Sequence, residues 1–153
     1  MRIEERFEVN APAEVVWRFI LTPELISPCI PGCEELVVEH PSRYRAVIKV
    51  AVGPISAAFR VVVEVTEERV PSFMAAVIRG EEGTRASVLT ARNELHLRQL
   101  DGGGTEIAYS SEVSIVGRLG KFGLGIMQKK AKALGEEFAA RLRARIGGEV
   151  KGP

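Results

Sequence analysis

A chain of 153 residues and 16.7 kDa is one domain's worth of protein, long enough to hide about two thirds of its unfolded surface. With 46% hydrophobic and 27% charged residues it is not a disordered chain, and 21 Lys+Arg against 20 Asp+Glu leave none of the basic excess of a general nucleic-acid binder. No apolar run of about 18 residues could cross a membrane, residues 1–6 are charged rather than signal-like, and two cysteines make no disulfide framework, so a cytoplasmic protein is expected.

Residues 3–9 alternate, with Ile3, Phe7 and Val9 on one face and Arg2, Glu4, Arg6 and Glu8 on the other, as in a strand with one wet side. Glu5 breaks the pattern by pointing inward. Asn10-Ala11-Pro12 predicts a helix start capped by Asn10, followed by Ala13, Val16, Trp17, Ile20 and Leu21 at helical spacing. Thr22-Pro23-Glu24 restarts a short helix that Pro28 ends. Pro31-Gly32 suits the centre of a type II turn, whose second position needs a positive φ. Five turn signals then separate six strands at about 34–39, 43–52, 55–68, 73–81, 85–100 and 105–116, and short connections make them antiparallel neighbours. From Arg118 the period becomes helical, with a stripe of Ala131, Leu134, Phe138, Leu142 and Ile146 that Gly147-Gly148 should end.

The predicted fold is therefore α+β, in the order β-α-α-β6-α. A seven-stranded antiparallel sheet curves around a long C-terminal helix, and two small helices plug one end. Residues 1–147 form a single domain and 148–153 a short tail.

Strand parity places Tyr44, Ala46, Ile48 and Val50, then Phe59, Val61, Val63 and Val65, then Leu89, Ala91, Asn93, Leu95 and Leu97, and finally Ile107, Tyr109, Ser111, Val113 and Ile115 on the inner face. The strand from Phe73 is apolar on both faces and cannot be oriented. This lining is apolar and often small, so a bent sheet capped by one helix should enclose more volume than it fills. Such a hollow is the usual form of a small-molecule site. The few inward polar groups, Asn93, Ser111, Tyr109, Tyr44 and Glu5, need partners if buried, either one another with water or a ligand's polar end.

Gly117, Gly120, Gly123 and Gly125 fall within nine residues at the start of the last helix. They serve either close packing on the sheet or a soft gate for a long apolar ligand. The segment 118–145 carries eight basic and two acidic residues, either a solvated helix face or a surface for anionic lipid. No catalytic or metal-binding residues are assigned. His40 and His96 lack partners at ligand spacing, no Ser-His-Asp set exists, and Cys29 and Cys33 are not a redox C-x-x-C. Cys33 reads as a small apolar residue beside the turn. Nineteen Glu against the single Asp101, with few amides, fit a heat-tolerant source.

Cys29-Ile30-Pro31-Gly32-Cys33-Glu34 resembles the "IPGCE" motif of the CoxG-like family of carbon monoxide dehydrogenase proteins, in the START/polyketide-cyclase (SRPBCC) superfamily of helix-grip folds. Ala11-Pro12…Val16-Trp17, Val52-Gly53-Pro54, Gly104-Thr105 and Val116-Gly117-Arg118-Leu119-Gly120 through Phe138 extend the resemblance over residues 1–146. It implies a cytoplasmic accessory to a molybdenum-containing CO dehydrogenase-type oxidoreductase at the inner face of the membrane. Members bind a hydrophobic quinone or lipid, and the family has no agreed catalytic residues. Longer members add a C-terminal linker and membrane-binding segment; this sequence stops at Pro153, from which a shuttling or purely soluble role is expected, in the cytoplasm or peripheral to the inner membrane.

The leading expectation is a non-enzymatic binder of a quinone or lipid, with no covalently bound cofactor. Tyr44, Phe59, Tyr109, Ile115, Phe122 and Ile126 line the tail channel, Asn93 and Ser111 sit near the polar headgroup, and Trp17 closes the small-helix end. One alternative is a cyclase- or hydrolase-like enzyme using Glu5, Asn93 or Tyr109 as acid or base. The other is a ligand-free scaffold that docks an oxidoreductase.

Overall fold

Strand β1 (Arg2–Val9) lies at one edge of a single antiparallel sheet and β2 (Cys33–His40) at the other. The chain crosses between these edges through helices α1 (Ala13–Leu21) and α2 (Pro23–Ile26) and a 3-10 turn (Ser27–Cys29), which is why the small helices must close one end. It then returns strand by strand through β3 (Arg43–Val52), β4 (Ile55–Arg69), β5 (Phe73–Glu82), β6 (Ser87–Gln99) and β7 (Thr105–Gly117), and β7 pairs with β1. A second 3-10 turn (Gly120–Phe122) leads into α3 (Leu124–Lys151). The computed structural model describes residues 1–83 and 86–151, with side chains as far as Ile146. Among them no helix is long and apolar enough to cross a membrane.

The predicted order and strand boundaries hold to within two residues, and register confirms the inner face. Cross-strand rows run Glu5–Tyr109–Leu95–Met74, Ile3–Ser111–Asn93–Ala76 and Val113–Ala91–Ile78–Val63–Tyr44. These rows settle β5, whose inward residues are Met74, Ala76, Ile78, Gly80 and Glu82.

Two packed clusters hold the ends. One joins Phe7, Val9, Val16, Trp17, Phe19, Ile107 and Leu97 to Ala139, Leu142 and Ile146 of α3. The other joins Ala46, Val52, Ala57, Phe59 and Val61 to Leu119 and Met127.

Three local expectations are corrected. Asn10 is exposed and does not cap α1; Pro12 occupies the cap, its carbonyl accepts from the Val15 and Val16 amides, and the Ala13 amide donates to Gln99 Oε1 at 2.8 Å. Pro28 lies inside the 3-10 turn after α2 rather than ending a helix. Gly147-Gly148 do not end α3, which runs on to Lys151. The Pro31-Gly32 turn is as predicted, with the Cys33 amide donating to the Ile30 carbonyl and Gly32 at φ +78°. A Cβ at Gly32 would lie 2.1 Å from the Lys49 carbonyl oxygen, so β3 leaves room for glycine alone.

Candidate functional site

Between the two clusters lies a strip of inner face in which larger side chains are only half-buried, with Leu95 packed against the first cluster and Val63 and Ile78 against the second. Val113, Ile78, Val63 and Tyr44 are inward-facing yet only half-buried, as are Leu95, Asn93 and Tyr109 in the adjoining rows. Above the strip, Ala131 and Leu134 of α3 are half-buried and belong to neither cluster. The close backbone neighbours of α3 are β1 and the two 3-10 turns, and at mid-helix Gly135 and Phe138 meet the Tyr109 side chain of β7.

At the start of α3 a cleft of about 330 Å³ opens between Met1, Val113 and Ile115 on one side and Gly120, Gly123, Leu124 and Met127 on the other. Leu124 on its rim is 62% exposed, and nearby Val116 is 60% exposed. The glycines here divide into two kinds. A Cβ at Gly117 would lie 2.1 Å from the Ala86 carbonyl oxygen and one at Gly120 would lie 2.8 Å from that of Ile115, so these two permit close packing. Gly123 and Gly125 meet nothing within 4 Å, and Gly123 takes φ +87° where the backbone breaks between the 3-10 turn and α3.

The base of this segment is locked by a group that sequence reasoning missed. Glu82, 3% exposed, accepts from Arg118 Nε at 2.5 Å and Nη2 at 2.8 Å and from Ser87 Oγ at 3.1 Å. Ser87 Oγ in turn accepts from the Leu119 amide at 3.1 Å. The hydrogen bonds from Arg118 hold the Glu82 carboxyl below the usual carboxylate range, against the opposing effect of burial.

The expected site residues fall into three groups. Tyr44, Tyr109, Asn93 and Ile115 are half-buried along the strip, and Phe122 is half-buried near the cleft with its ring 3.4 Å from the position of a Cβ on Gly53. Trp17 and Phe59 are packed within the two end clusters. Ile126 stands apart at 53% exposure, two and a half turns before Gly135 and thus on the opposite side of α3. Met127, one residue on, is the one turned inward.

Asn93 and Ser111 form a pair of their own, with Ser111 Oγ donating to Asn93 Oδ1 at 2.5 Å. The second inward polar pair, Glu5 and Tyr109, has no hydrogen-bond partner among the described residues. Burial, with a smaller contribution from Glu5, pushes the Tyr109 hydroxyl up to about 12. Burial raises the Glu5 carboxyl too, aided by Glu136 and opposed by Lys132. Phe138 meets the Tyr109 ring edge-on at 6.1 Å and fixes its orientation.

Both thiols are free, and burial pushes them up, away from the reactive thiolate form. Of the eight basic residues in 118–145, Arg118 holds Glu82, Arg141 bonds Glu137 and the Pro28 carbonyl, and Arg143 bonds the Glu8 carbonyl and lies over Phe7. The basic stretch is thus partly structural.

The model of the CoxG family, described as a subunit of carbon monoxide dehydrogenase, matches residues 6–147. The chain belongs to the CoxG family. None of the curated proteins matches it in sequence. Among solved structures, this CoxG-family chain is similar to a conserved protein from Geobacillus kaustophilus, at 21% identity over 97% of both chains with a TM-score of 0.88. It is also similar to a START superfamily protein from Mycobacterium smegmatis, at 15% identity over 95% of this chain and 96% of that one with a TM-score of 0.72. The Zhui aromatase/cyclase from Streptomyces sp. R1128 follows at 17% identity over 99% and 93%, with a TM-score of 0.63. At these identities the likeness is one of fold, the START-type helix-grip arrangement.

Proposed function

We propose that this CoxG-family protein is a non-enzymatic binder of a hydrophobic quinone or lipid, held between the sheet and α3, and an accessory to a carbon monoxide dehydrogenase-type molybdenum oxidoreductase. One observation carries the reading: the middle rows of the inner face keep half-buried apolar side chains beneath a helix whose buried apolar residues fall toward its two ends, Met127 at one and Ala139, Leu142 and Ile146 at the other. Apolar surface that remains wet in a folded core has a reason to be covered by something other than the chain itself. The cleft at the start of α3 supplies the way in, and Gly123 and Gly125 leave its rim unobstructed. Exposed Leu124, with Lys121 close by in sequence, gives that rim the mixed apolar and basic character that suits transient contact with an anionic membrane surface. The family membership supports the oxidoreductase partner. Native mass spectrometry of the full chain after incubation with menaquinone tests the binding: one quinone per chain is expected, and a spectrum with no added mass refutes it.

The aromatase/cyclase of the same fold makes an enzyme the second reading. It would rest on Glu5 and Tyr109, since the Asn93 carbonyl oxygen is occupied by Ser111.

A further inference from the structure

Resting on the reading of the hollow as a ligand site, we infer that Glu5 and Tyr109 form its polar end and hold a neutral head that carries a hydroxyl group, such as an alcohol, phenol or hydroquinol, more tightly than one that only accepts, such as the quinone itself. The two residues are direct neighbours across β1 and β7, both pointing inward and both half-buried. Their oxygens converge on one point of α3. A Cβ on Gly135 would lie 2.8 Å from the Tyr109 hydroxyl and 3.1 Å from Glu5 Oε1, so this mid-helix glycine is the notch that lets them reach the helix. Glycine inside a helix costs about 1 kcal/mol relative to alanine, and close approach of these two side chains gives that cost a purpose.

Chemistry then limits what fits between them. An ionised carboxylate only accepts hydrogen bonds, whereas a phenol can donate one. Tyr109 stays protonated, and thus a donor, across the physiological range. The group that completes the pair must donate to Glu5 and accept from Tyr109, which is what a hydroxyl does. An ether or ester oxygen accepts but cannot donate, and so leaves Glu5 without a partner. A free carboxylate brings a second negative charge beside Glu5 and Glu136, with Lys132 the cation facing Glu5 from the same helix. The Ser111–Asn93 pair, one row along, is already satisfied in its stronger contact and contributes less.

The experiment compares three probes that share a tail, 1-hexadecanol, its methyl ether and palmitic acid, by native mass spectrometry of the full chain at pH 8. The alcohol is expected to bind roughly tenfold or more tightly than either of the others. Glu5→Gln, whose amide can donate as well as accept, should cut that preference severalfold, whereas Tyr109→Phe, which removes the donor that both heads share, should weaken alcohol and ether alike. Should one variant fail to fold, the other carries the test. Equal binding of alcohol and ether by the parent, a Glu5→Gln chain that keeps the parent's preference, or a Tyr109→Phe chain that binds both as the parent does overturns the polar-end assignment and leaves the hollow standing. Absence of binding by all three probes overturns both.

Discussion

An Ala91→Trp chain keeps its melting temperature within about 3 °C of the parent and takes up no menaquinone. Ala91 is the smallest side chain of the central inner row, between Val113 and Ile78, both of which are half-buried. Ala91 itself is 8% exposed, so the proposed hollow requires that an indole built there find its space beneath Ala131 and Leu134. It covers apolar surface that the parent leaves wet, and so offsets the strain of its own insertion. Were the strip packed solid, the same substitution would overfill a core and cost about 1–3 kcal/mol, or roughly 3–10 °C in a domain of this size. Thermal denaturation and native mass spectrometry on one preparation therefore read out both halves. Unchanged stability with lost binding supports the hollow, and a marked fall in melting temperature contradicts it.

The second large effect concerns the lock at the base of α3. Glu82→Ala is expected to lower the melting temperature by on the order of 5 °C at pH 7, because it leaves Arg118 and Ser87 without the acceptor they converge on. Its pH dependence has a definite sign. The Glu82 carboxyl sits below its ordinary range in the folded chain, chiefly through the hydrogen bonds from Arg118. The stability it contributes is therefore fully present above the unfolded carboxylate range, and is lost as pH falls through the folded value. As pH falls below the ordinary carboxylate range the parent and Glu82→Gln chains should converge in melting temperature; a constant difference between them down to pH 2 would exclude this role. Because the lock ties Arg118 and Leu119 to the β5–β6 hairpin, its loss should also speed ligand release through the neighbouring cleft.

Much of this architecture is legible in the sequence because two periods carry it. Alternation on β3, β4, β6 and β7 puts the correct residues inside, and β5 is unreadable only because both its faces are apolar. The misses share one physical cause, contacts between residues far apart in sequence. Gln99 satisfies the first amide of α1 from the end of β6, so Asn10, an ideal local cap, is left unused. Glu82 sits at a strand end beside a turn and finds Arg118 36 residues later. At the start of α3 the helical phase is off by a single residue, enough to exchange exposed Ile126 for buried Met127. Glu5 is visible as a break in alternation, but its meeting with Tyr109 depends on Gly135, whose signal is a lone glycine in the middle of a long amphipathic helix.

A crystal structure of the full chain grown with menaquinone tests the central claim most directly. The expected result is elongated density between Ala131 and Leu134 of α3 and the row Val113–Ala91–Ile78–Val63, reached from the cleft at Met127. Side chains closing that strip, with the quinone absent or bound on the outer face of the sheet, would contradict it.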